Sequence, residues 1–228
     1  MVDAIEDGIT FLNKCSQIAN VEYECNTFRA GGLTLQPEHD LIEILVQHGF
    51  KYDSSIAKHT HSNFECAEYD YRKVPNKLNW RISAKEGINI DSKQNESLIE
   101  IPVATTKNNI FRLLKVQGPL RVTNINVGGT GFSRPDRKRT KIEKLIKKLC
   151  DYSWVTLDTR SAEVIMSDLH NIYKKNNCDN IDATVAIIGH PKMFNENNVN
   201  NMIKLIKLIN REETKMKIVS LKDVGNNL

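Results

Sequence analysis

Ile5, Ile9, Leu12 and Ile18 recur at near-helical spacing and predict a helix over residues 3–19. An extended stretch from Tyr23 to Phe28 then runs into Gly31-Gly32. Pro37 suits the first turn of a second helix. Leu41, Ile44, Leu45 and His48 share one face of it, and Gly49 is its stop. Phe50 to Ile56 reads as a strand. Residues 57–97 are polar and irregular, contain Pro75, Trp80 and Gly87, and form an excursion of the kind that carries function or little order. Leu98 to Val103 is the next strand, whereas Phe111–Leu114 and Arg121–Ile125 fit neither period.

Beyond this point strand and helix alternate. Ile142, Leu145, Ile146 and Leu149 mark a helix, and Trp154 to Leu157 a strand. Ala162, Ile165, Met166, Leu169 and Ile172 mark a further helix, and Thr184 to Ile188 an apolar strand ending at Gly189-His190-Pro191. Val199, Met202, Ile203, Ile206 and Ile209 predict the last long helix, and Met216 to Leu221 a final strand. Such alternation is the mark of an α/β fold with a parallel sheet, where chemistry gathers at strand ends. Arg29, Asp53 and His190 all stand at predicted strand ends, which makes them the first candidates for a site.

The totals narrow the function classes. With 228 residues, 40% hydrophobic and 26% charged, the chain can bury a core without cross-links, and it is read as a single domain over 1–228. A net charge of +4 is too small to imply nucleic acid or an anionic membrane, and 7% aromatic residues argue against a base-stacking surface. No apolar run reaches the roughly 18 residues of a membrane span, and Asp3, Glu6 and Asp7 do not fit a secretory leader. The expected location is the cytoplasm. Five cysteines, an odd number without C-x-x-C spacing, read as buried thiols.

Four motifs in order resemble the polysaccharide deacetylase family. Thr27-Phe28-Arg29-Ala30-Gly31-Gly32 is similar to its arginine motif, and Gly49-Phe50-Lys51-Tyr52-Asp53-Ser54-Ser55 to its "Gly-Phe, then Asp-Ser-Ser" strand. Leu98-Ile99-Glu100-Ile101-Pro102-Val103 resembles the "Glu-Ile-Pro" strand, and Ile187-Ile188-Gly189-His190-Pro191-Lys192 the closing histidine motif. The resemblance implies a distorted (β/α) barrel and metal-dependent hydrolysis of N- or O-acetyl groups on a carbohydrate, with zinc polarising the acetyl carbonyl. It implies that His190 is the acid protonating the leaving amine and that Arg29 orients the base, with Asp53 near the aspartate that tunes the histidine. Gly31, Gly32 and Trp80 are the candidate substrate-binding residues.

The family's Asp-Asp pair and His-x-x-x-His precede the arginine motif, and neither is present here. Only Asp3 and Asp7 stand before Arg29 on the predicted helix, so the zinc ligands and the base are not found in this chain. The expectation is therefore an incomplete barrel lacking its first strands, inactive alone, with a partner chain supplying those strands. The alternative is a non-catalytic glycan-binding or scaffold protein with a degenerate barrel.

Each residue also has a plainer reading. His190 can cap a strand, Arg29 can form a structural ion pair, and Asp53-Ser54-Ser55 can form a turn that bonds its own backbone. His59 and His61, with Glu65 and Cys66, match no metal-ligand spacing and read as loop residues. Gly128-Gly129-Thr130-Gly131 lacks the phosphate-loop pattern. Arg134, Arg137, Lys138, Arg139, Lys141, Lys144, Lys147 and Lys148 read as the solvated face of a core-packed helix, with nucleic-acid binding as the weaker reading.

Overall fold

The computed structural model describes residues 2–64, 67–108, 151–178, 183–191, 194–211, 215–220 and 224. The readings placed on Glu65 and Cys66, Phe111–Leu114, Arg121–Ile125, Gly128–Gly131, Arg134–Lys148, the predicted helix at 142–149 and Lys192 lie outside them. The chain is mixed α/β and forms two compact units, one of residues 1–102, 183–185 and 221–228, the other of 103–182 and 186–220.

In the first unit, α1 (Val2–Ala19) follows the predicted helix closely, with Asp3 favourably placed in its first turn. Ile5 and Ile9 pack partly against the core, while Phe11 and Ile18 face solvent. β1 (Thr27–Phe28) leads into a 3-10 turn at Gly31–Leu33. α2 (His39–Gln47) buries Leu41, Ile42 and Leu45. It ends in a Schellman motif: Gly49 takes φ +79°, its N–H bonds Val46 O at 3.0 Å, and the Phe50 N–H bonds Leu45 O at 3.0 Å. β2 (Tyr52–Asp53) follows directly.

The excursion at 57–97 holds more structure than its polarity predicts. β3 (His61–Phe64) and β4 (Ala67–Asp70) form an antiparallel hairpin, and β5 (Trp80–Ile82) joins the main sheet. That sheet runs β1-β2-β6-β5, where β6 is Leu98–Glu100. β1, β2 and β6 are parallel, as expected, and β5 is antiparallel to β6. Leu35, Ile42, Leu45, Ile56, Tyr71 and Leu98 form the heart of its core.

The Tyr71 hydroxyl donates to Leu33 O at 2.8 Å and accepts from the Leu35 N–H at 2.9 Å, which clamps the segment after the glycine turn. Gly32 sits at φ +64° within that turn, a conformation costly for any residue with a Cβ. A Cβ at Gly31 meets nothing within 4 Å. Gly32→Ala should therefore lower stability by about 1 kcal/mol, while Gly31→Ala stays within about 0.5 kcal/mol. Urea unfolding of the two variants checks the contrast.

In the second unit, β7 (Thr105–Lys107), which the sequence pattern did not predict, pairs antiparallel with β8 (Tyr152–Trp154). The predicted strand at Thr184–Ile188 is reduced to isolated parallel bridges, Val103 with Ala186 and Thr156 with Ile188. α3 (Ala162–Lys175) is capped by the Ser161 side chain, which accepts from the Val164 N–H. α4 (Glu196–Ile209) begins in a capping box of Asn195 and Asn198 and packs on α3. Of the predicted last strand, Met216–Leu221, residues 216–220 carry no regular element and Leu221 lies outside the described residues. Among the described residues none of the three sheets closes into a barrel.

Candidate functional site

In the first unit, the three matched motifs converge at the carboxyl ends of β1, β2 and β6. Arg29 follows β1 directly, and its guanidinium donates through Nε to Ser54 O at 2.9 Å and through Nη2 to Ser54 Oγ at 2.8 Å. Ser54 Oγ donates in turn to Ile101 O at 2.7 Å. The Ala30 N–H donates to Ser55 Oγ at 2.8 Å, and Ser55 Oγ donates to Asp53 Oδ1 at 2.7 Å. Strand order alone brings these residues side by side, because a parallel sheet places successive strand ends at one edge.

Asp53 also accepts from the Ser55 N–H through Oδ2 at 3.1 Å, so it forms the turn that the plainer reading anticipated. Glu100 stands in register with it, and Glu100 Oε1 accepts from the Ile56 N–H at 3.1 Å. Both carboxyls are 0% exposed. Burial raises the pKa of Asp53, against hydrogen bonds that favour its charged form. Arg29 reaches solvent, but desolvation of its hydrogen-bonded guanidinium lowers its pKa, and the charges of Asp53 and Glu100 oppose that shift. It stays a cation.

Trp80 does not fit its expected role at the substrate. The ring is 3% exposed in the core, and its Nε1–H donates to Ile88 O at 3.1 Å. Trp80 borders a polar groove with Arg81, Asp91 and Lys93, but at this burial it offers no face for stacking.

His190 belongs to the second unit. Its backbone N–H donates to Asp158 Oδ1 at 2.8 Å, and its Nδ1 bonds Asp158 Oδ2 at 2.7 Å. Thr156 Oγ1 donates to the same Oδ2 at 2.7 Å. The imidazole is 43% exposed and the carboxylate 13%. The carboxyl group is thus held inside while the ring reaches water, with Nε2 making no hydrogen bond among the described residues. Fixing Nδ1 in this way leaves Nε2 for proton transfer. Asn198 of α4 supports the arrangement, donating from Nδ2 to Leu157 O at 3.1 Å and Asp158 O at 3.3 Å. A Cβ on Gly189 would come within 3.0 Å of the Phe194 ring, so a glycine there lets the chain pass.

The carboxylate that bonds the histidine is therefore Asp158, which the motif reading passed over, and Asp53 is engaged with Ser55 and Glu100. Asp158 had a legible signal: it is an acid directly after the apolar strand Trp154–Leu157. Glu100 had one too, as the acid inside the apolar run Leu98–Ile101.

All six histidines fall among the described residues. Among those residues no three His, Cys, Asp or Glu side chains group to hold a metal ion. No helix there is long and apolar enough to cross a membrane. No family model, curated protein or solved structure matches the chain.

Proposed function

We propose that this chain is a polysaccharide-deacetylase-like domain acting on acetylated carbohydrate, in an incomplete form of that family's barrel. The observation that carries this reading is the Asp158–His190 pair. Cleaving an amide releases an amine that needs a proton, and a half-exposed imidazole backed by a partly buried carboxylate is built to deliver one from Nε2. Asp158 holds the ring by Nδ1 and so fixes where Nε2 points. Arg29, hydrogen-bonded at Ser54 beside Asp53 and Glu100, takes the part of the family's arginine, presenting a fixed cation.

Metal ligands and base are assigned to a partner chain. β1 forms one edge of the four-stranded sheet, where a further strand can add. Alone, the chain binds the acetylated sugar and does not hydrolyse it.

Calorimetric titration with an N-acetylated oligosaccharide and its de-N-acetylated counterpart tests the reading. The acetylated sugar is expected to bind about tenfold more tightly, the worth of one hydrogen bond of about 1.4 kcal/mol, and His190→Ala should erase the difference. Equal affinities for the two sugars would overturn the proposal. Binding indifferent to His190→Ala and to chelator would instead favour a non-catalytic glycan-binding protein.

A further inference from the structure

Asp53 and Glu100 meet in register across β2 and β6, in a place solvent does not reach. Two ionised carboxyls there would repel each other with no water to screen them. The cation within electrostatic reach is Arg29, at the end of β1, and its hydrogen bonds go to Ser54. Among the described residues, Tyr71, just beyond β4, is a further titratable group facing the pair. Burial and the two acids push its pKa up, so it carries no charge. From β5 the residue in register with Glu100 is Trp80, which does not titrate. Among the described residues, one positive charge thus faces two acids.

The hydrogen-bond count says which acid gives way. Asp53 accepts from the Ser55 hydroxyl and from the Ser55 N–H, one on each oxygen. Glu100 accepts on Oε1 alone, from the Ile56 N–H. Its Oε2 is buried and accepts no hydrogen bond among the described residues. An ionised Oε2 would be an unsatisfied anion in a dry site. A protonated one is a donor, with the Asp53 carboxylate beside it as acceptor.

We infer that Asp53 and Glu100 hold one proton between them at neutral pH, resident on Glu100 and donated to Asp53, leaving a single negative charge that keeps Arg29 at the strand ends as its counter-ion. Burial and the neighbouring charge raise the pKa of both acids, that of Glu100 well above an ordinary glutamate. Glu100 is thus a positioning residue for Arg29. The pairing is a property of the strand ends, independent of what the site acts on. If the deacetylase reading holds, it is also what presents the arginine to substrate.

The consequence for stability has a definite sign. In the unfolded chain both acids ionise near their ordinary values, whereas the folded pair keeps a proton. From the ordinary glutamate pKa upward the folded state binds one proton more, and the folding constant falls about tenfold per pH unit from this source. The contribution is complete below the unfolded pKa and is lost as pH rises through the folded one.

Infrared spectroscopy and two conservative variants test the inference. The wild-type protein at neutral pH should show the C=O stretch of a buried carboxylic acid, and Glu100→Gln should remove it. In that variant the amide can donate to Asp53 in place of the acid proton, so it should fold normally and lose this part of the decline of stability above about pH 5. Asp53→Asn aims amide hydrogens at the Ser55 donors and should unfold at lower urea. Absence of the acid band from wild-type protein at neutral pH would refute the inference, whatever the variants do. So would a Glu100→Gln variant as unstable as Asp53→Asn. Neither readout involves a sugar, so failure of the sugar titrations leaves this result standing, and the reverse also holds.

Discussion

Arg160→Ala is expected to lower the stability of the second unit by about 3–5 kcal/mol, the cost of stranding one partner of a buried ion pair. Arg160 and Asp168 are 4% and 3% exposed and are bound through Nη1 and Oδ2. The same guanidinium donates to Thr106 Oγ1 at 3.1 Å and to Ser153 Oγ at 2.6 Å, and so joins α3 to both strands of the β7–β8 ribbon. The Arg160 carbonyl accepts from Asn201 Nδ2 at 2.8 Å, and Asn201 Oδ1 accepts from the Ala162 N–H, drawing in α4. Truncation at residue 160 breaks the ion pair with the buried Asp168 and takes away the guanidinium that donates to the Thr106 and Ser153 hydroxyls. The double substitution Arg160→Met/Asp168→Leu should cost much less than Arg160→Ala, because no lone charge is left behind. Urea unfolding of the single and double variants reads both numbers, and a single-variant loss under about 1 kcal/mol, the size of an exposed pair, would show that the pair is not buried in solution.

Asp158→Asn should lower acetate release by the complemented enzyme on the order of 10²–10⁴-fold with little change in KM, the range set by losing general acid catalysis. Asp158 keeps a proton on His190 Nδ1 and offers a negative charge to the imidazolium. An asparagine keeps the shape but loses that charge, and turned with its NH₂ toward Nδ1 it favours the wrong tautomer. In the chain alone the change is visible without turnover. The ring ¹⁵N–¹H signals of wild-type His190 should show a protonated Nδ1, and those of Asp158→Asn should not. A variant with unaltered ring signals and full activity would remove Asp158 from the account.

How much of this was legible depended on the type of signal. α2, α3 and α4 each bury one apolar face against a core, so spacing of three and four residues revealed them. α1 was equally legible as a helix, but spacing did not show that Phe11 and Ile18 face water. The excursion at 57–97 was misjudged because its polarity averages over a strict alternation. Ala67, Tyr69 and Tyr71 point inward between Glu68, Asp70 and Arg72, and Trp80 and Ile82 are buried on either side of Arg81. A period of two over so few residues is outweighed by the charged residues that interrupt it.

The site followed the same division. Arg29, Asp53 and Glu100 converge because strand ends in a parallel sheet share an edge, which order along the chain predicts. Asp158 could be picked out as an acid at a strand end, but its bond to His190 depends on the return of residues 186–188 beside 155–157, a pairing of distant segments. Trp80, a candidate at the substrate, is packed in the core.

The central claim, that His190 is the group an acetylated sugar meets, is tested most directly by NMR of the imidazole signals during titration. With six histidines in the chain, the His190 resonances can be assigned by their loss in His190→Ala. The account predicts that an N-acetylated oligosaccharide shifts the His190 signals saturably while its de-N-acetylated counterpart leaves them in place. Saturable binding that moves other histidines and not His190, or no movement with either sugar, would contradict it.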